Sequence, residues 1–151
     1  MKVSCCTLQL VIMLALATPL LPGEARARAK SDVNQQLKSA IAKVRRAKTP
    51  IGRLDRAERL LALTYERDCS AVTDETILSL VSLLDIDDDG VQMWVAAVLG
   101  VIGPRAKIAV PKLLSILAVS DCQMWDLSSA ATIPIALKSM GITPPPRNCL
   151  F

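Results

Sequence analysis

The chain contains no histidine. That absence excludes Ser-His-Asp and Cys-His catalytic pairs, zinc sites built on imidazole, and any switch based on a side chain whose ordinary pKa lies near neutrality. Aromatic residues make up only 3% of the 151 residues. Base-stacking or sugar-stacking platforms need several exposed rings, so surfaces of that kind are not expected. No run alternates apolar and polar residues as a half-buried strand does. What the chain does have is aliphatic: 52% of it is hydrophobic. A core of Leu, Val and Ala with few rings points to closely packed helices, and the length suits one domain with a sizeable core.

Met1 and Lys2 precede a largely apolar run over residues 8–21. Pro22-Gly23 breaks any helix there, and two small-x-small triplets follow, Ala25-Arg26-Ala27 and Ala27-Arg28-Ala29. This three-part layout predicts a signal peptide over residues 1–29, cleaved near Ala27 or Ala29, and an exported product that is periplasmic or secreted. The alternative, an uncleaved membrane anchor, needs about 20 apolar residues, more than the run supplies. Cleavage would remove Cys5 and Cys6 and leave Cys69, Cys122 and Cys149. In an oxidising compartment a disulfide becomes permissible. Cys122–Cys149 is the preferred pair, because it would tie the Pro-rich tail of residues 143–151 to the loop before the last helix. Three unpaired thiols acting as small hydrophobes are the alternative.

The helical domain is expected over residues 30–142. Val33, Leu37, Ala40, Ile41 and Val44 share one helical face, with Ser31 or Asp32 as cap and Thr49-Pro50 as the end. A second helix over residues 51–67 is expected to bury Leu54, Ala57, Leu60, Leu61 and Thr64, pairing antiparallel with the first. Thr73 reads as the cap of a third helix over residues 74–84. A strongly apolar helix over 91–102, with Trp94 on its core side, ends at Gly103-Pro104, read as a left-handed stop. A further helix covers residues 109–118, where Pro111 falls in the first turn. The last lies within residues 126–140, ended by Gly141, with Pro134 either kinking it or marking its start. The fold class is all-α.

Residues 83–117 carry a more specific pattern. The acidic turn Asp85 to Asp89 leads into a helix with Ala96 and Ala97, then Leu99-Gly100-Val101-Ile102-Gly103, then Ala109-Val110-Pro111-Lys112-Leu113. This resembles a HEAT repeat of the bacterial type related to phycobilisome lyases. Residues 136–141 echo residues 98–103 at an offset of 38, a plausible HEAT period. Gln92 departs from the pattern, which commonly carries Arg there, and so does Pro134. The resemblance implies a short α-solenoid of about three antiparallel helix pairs. Within it, Ala96, Ala97 and Gly100 admit a neighbouring helix closely, while Leu113, Leu114 and Leu117 bury against the next repeat. Gln-Met-Trp also occurs twice, ending at Trp94 and Trp125, but its offset of 31 disagrees with 38 and is read as coincidence.

Asp85, Asp87, Asp89 and Gly90 match the opening of a calcium-binding EF-hand loop. The closing bidentate acid of such a loop would fall at Ala96, so at most weak cation binding is left there. Capping of the following helix by Asp88 or Asp89 explains the turn better. Charge is segregated: residues 30–67 hold ten bases and four acids, residues 68–104 seven acids and no base, and residues 105–151 five bases and two acids. The basic first pair is expected to be a solvated face steadied by the acidic section or, if functional, a dock for an acidic partner.

No catalytic residue and no cofactor is expected, since Cys69 has no histidine to activate it. The expected function is that of an exported scaffold binding another protein through a stacked-helix surface. Candidate contacts are Trp125, Arg45, Arg46, Arg53, Asp87 and Asp88. Two alternatives stand beside it: an accessory subunit of a lyase-like enzyme, implied by the resemblance alone, and a binder of anionic membrane surfaces through the basic first pair. Export argues against a nucleic-acid partner. A homo-oligomer is a further option, because short solenoids without polar end caps tend to pair.

Overall fold

The structure, a computed structural model, describes residues 22–120 and 128–146, with side chains from residue 33 onward. Six α-helices follow one another among the described residues: α1 (Pro22–Arg45), α2 (Pro50–Tyr65), α3 (Asp74–Val81), α4 (Asp89–Ile102), α5 (Val110–Val119) and α6 (Ser129–Ser139). Three 3₁₀ segments, Cys69–Ala71, Ser82–Asp85 and Gly103–Ala109, join them, and no strand is present among these residues. The all-α expectation holds.

α4 is the hub, because it is apolar almost all the way round and a helix of that kind must be covered. It buries Val91, Met93, Val95, Ala96, Val98, Leu99 and Ile102, and packs most extensively against α6 and α2. α1 packs on α2 and contributes Val33, Leu37, Ile41 and Val44 to the same core, with Ala40 partly covered. Leu113 and Leu117 of α5 are buried and Leu114 is packed against the core. Trp94 lies half-buried against the same cluster.

The α4–α6 contact depends on small residues. A Cβ placed on Gly100 would lie 3.1 Å from the Cα of Ala136 and 3.2 Å from its Cβ. α4 then ends at Gly103 (φ 71°, ψ −139°), whose N–H donates to the Leu99 carbonyl. That backbone is not the left-handed helical stop expected from the sequence. It belongs to a region open only to glycine, and it sends the chain directly into the 3₁₀ segment. α6 does end in the expected way. Gly141 has φ 77°, its N–H donates to Lys138 O at 2.9 Å, and the Ile142 N–H donates to Leu137 O at 2.9 Å. Those two bonds form the Schellman closure.

Several boundaries differ from the sequence expectation. α1 begins at Pro22 and runs without interruption through Ser31 and Asp32, so neither residue caps it. Proline opens a helix readily at its first position, and the Glu, Ala, Arg and Lys residues that follow are strong helix formers. Thr49-Pro50 starts α2 rather than ending α1, which stops at Arg45; the Thr49 hydroxyl accepts from the Gly52 N–H at 3.1 Å. Leu54 is 38% exposed instead of buried, lying at the rim where its Cδ1 covers Gly90. Pro134 falls inside α6, five residues after its first turn opens, because Ser128 supplies the cap.

Candidate functional site

α1 and α2 leave an open cleft of about 990 Å³ between them. Lys43 lies in the last turn of α1 and Arg46 in the turn just after it, where its N–H still donates to Ala42 O at 3.1 Å, and Arg56 and Arg59 are one turn apart on α2 and share a helical face. All four line the cleft, with Leu63 as an apolar surface and Asp55 as its one acid. Two of the guanidinium groups have partners, one on the other helix and one on its own. Arg56 Nη1 donates to Lys43 O at 2.7 Å, and Arg59 meets Asp55 twice, Nη2 to Oδ1 at 3.3 Å and Nε to Oδ2 at 3.2 Å. Of the sequence candidates only Arg46 lies in this cleft. Lys43, Arg56 and Arg59 were not singled out, although their three-residue spacing was a usable signal.

The acidic turn is a structural junction. Asp88 Oδ1 accepts from the Val91 N–H at 3.2 Å, capping α4, while its Oδ2 lies 4.0 Å from Arg53 Nη1. Asp85 pairs with Lys112 at 2.5 Å. Asp89 reaches across the fold instead, accepting from the Ser129 N–H at 3.2 Å and from the Ser129 hydroxyl, so it ties the first residue of α6, which Ser128 caps, to the start of α4. Gln92 Nε2 donates to Leu84 O at 3.3 Å and to Ile86 O at 3.1 Å, which gives the departure from the HEAT pattern a role in closing the turn. Asp87 is exposed. Among the described residues no three side chains of His, Cys, Asp or Glu converge as metal ligands.

This division of labour makes a testable contrast. Asp89→Ala leaves the buried Ser129 hydroxyl and a helix N-terminus without their shared acceptor, and is expected to cost about 1–2 kcal/mol. Asp87→Ala should stay within about 0.5 kcal/mol, as exposed substitutions do. Urea unfolding of the two variants compares them directly, and equal midpoints would contradict the assignment.

Midway along α1, Asn34 Oδ1 accepts from the Thr73 N–H at 2.8 Å, the Thr73 hydroxyl at 3.2 Å and the Thr76 hydroxyl at 2.8 Å, while Nδ2 donates to Ala71 O at 2.9 Å. Beside it Lys38 pairs with Glu75 at 2.8 Å and Arg105 donates to Ser70 O. These groups border a second depression of about 660 Å³, but most are occupied in joining α1 to the entry of α3. Arg45 likewise donates to the Ser82 hydroxyl. Arg45, Arg53 and Asp88 thus have contacts within the fold. Trp125, Cys122 and Cys149 lie outside the described residues.

Cys69 is half-buried, and its Sγ–H donates to Thr64 O at 3.3 Å. Burial pushes the thiol pKa up, and the neighbouring Asp68 carboxylate adds to the shift. Above the ordinary thiol range, roughly pH 8–9, the unfolded chain releases a proton that the folded chain retains. The stability contributed by the neutral thiol is therefore complete at neutral pH and declines as pH rises through that range. Urea midpoints at pH 7 and pH 10 should show this decline, and Cys69→Ala should lessen it.

No family model, curated protein or solved structure matches this chain. The helical stretch Asp89–Val119, 31 residues long, is apolar enough by length and composition to cross a membrane. Half of its most apolar window is buried within the fold, and Gly103 turns the chain inside it.

Proposed function

We propose that the chain is an exported, HEAT-like helical scaffold that binds another protein through the surface of its stacked helices. The carrying observation is the α1–α2 cleft: it is open, it gathers four bases around one acid, and one of its guanidinium groups, Arg56, is tied across to the Lys43 carbonyl of the other helix. Such a surface binds by charge and shape. The repeat reading draws support from Gly103 and Gly141, 38 residues apart, which both adopt positive φ at the ends of two helices packed on each other. The decisive experiment is cross-linking of the mature protein in the exported fraction, followed by mass spectrometry. One reproducible protein partner is expected, and recovery of none at moderate salt overturns the reading.

A further inference from the structure

We infer that the occupant of the α1–α2 cleft is a carboxylate-rich segment of the partner protein, with an apolar side chain of that segment resting on Leu63. The inference rests on the scaffold reading and deepens it by naming what is bound and where. Lys43 and Arg46 line one edge of the cleft, and Arg56 and Arg59 share the other with one acid, Asp55, leaving an excess of positive charge there. Arg56 is anchored to the Lys43 carbonyl and Arg59 to both oxygens of Asp55. The bond from Arg56 to the other helix orients its guanidinium, and the planar forks of both arginines match carboxylates. At about 990 Å³ the cleft suits a stretch of chain better than a single small anion.

A lipid surface fits less well. Asp55, Glu58 and Glu66 are all exposed on or just after α2, so a flat anionic sheet laid there would meet carboxylates as well as bases. A narrow acidic chain inside the cleft avoids Glu58 and Glu66 and meets the four bases.

The test uses the mature protein and a fluorescein-labelled peptide of repeated Glu-Glu-Leu units, read by fluorescence anisotropy, with a Gln-Gln-Leu peptide beside it. The acidic peptide is expected to bind and to weaken steeply with added salt, and the neutral peptide is not. K43Q/R46Q changes two exposed side chains and should weaken binding about 10-fold, whereas K48Q/R67Q, outside the cleft, should leave it within about 2-fold. Equal binding of the two peptides, indifference to K43Q/R46Q, or binding to phosphatidylserine vesicles in place of the peptide would each overturn the inference. A cross-linked partner that persists with K43Q/R46Q would leave the scaffold reading standing and remove the cleft. Peptide binding with no cross-linked partner would do the reverse.

Discussion

Gly100→Leu is expected to destabilise the protein by about 3 kcal/mol, lowering its melting temperature by roughly 10 °C. Even a bare Cβ on Gly100 would lie 3.1 Å from the Cα of Ala136 and 3.2 Å from its Cβ. Ordinary carbon contacts lie at about 3.5–4.0 Å. The opposing atoms are backbone and Cβ, so no rotamer change clears the space and α6 must shift as a body. That shift opens the contact on which α4, the hub, relies most. Gly100→Ala needs a displacement of only a few tenths of an ångström and gains about 1 kcal/mol of helix propensity, so its net effect should be small. Thermal unfolding of the pair separates close approach from propensity. A Leu variant as stable as the Ala variant would mean that α4 and α6 do not meet here.

Leu37→Ala should cost about 3 kcal/mol, within the range for deleting a fully buried Leu side chain. Leu37 has no exposed surface and joins α1 to the common core with Val33, Ile41 and Val44. Its neighbour makes the control: Lys38 is partly exposed and pairs with the exposed Glu75, so Lys38→Ala should cost less than about 1 kcal/mol. Urea unfolding followed by circular dichroism would report both, with an unchanged slope showing that the native fold is retained. A Leu37→Ala cost as small as that of Lys38→Ala would mean that α1 rests loosely on the domain. The α1–α2 cleft would then lose the rigidity that its guanidinium groups require.

Much of the helical layout was legible because it is decided locally. Thr73 and Asp88 cap α3 and α4 as expected, each through its side-chain oxygen and the N–H three residues on. The apolar faces of α1 and α4 followed from helical periodicity alone. The misread boundaries share one cause, which is that proline signals a start as readily as a stop. Pro22 opens α1 and Pro50 opens α2, where the sequence had suggested a break and an end. Leu54 matched the buried stripe of α2 by spacing, yet it falls at the rim where the covering helix offers only Gly90.

The helical class, the periodic faces, the caps Thr73 and Asp88, and the separation of basic from acidic stretches are legible in the chain, since each depends on residues within a turn or two of one another. What those charges do depends on which elements pack together. Asp89 holds the first residue of a helix 40 residues away, Asn34 gathers Thr73 and Thr76, and Lys38 meets Glu75. The same holds for the cleft. Lys43 and Arg46 form one basic edge and Arg56 and Arg59 another, and neither edge is distinctive on its own helix. They become one site because the buried faces of α1 and α2 pack together and bring the two edges across from each other. Helical periodicity sets which way a side chain points from its own axis, whereas packing sets what stands opposite it.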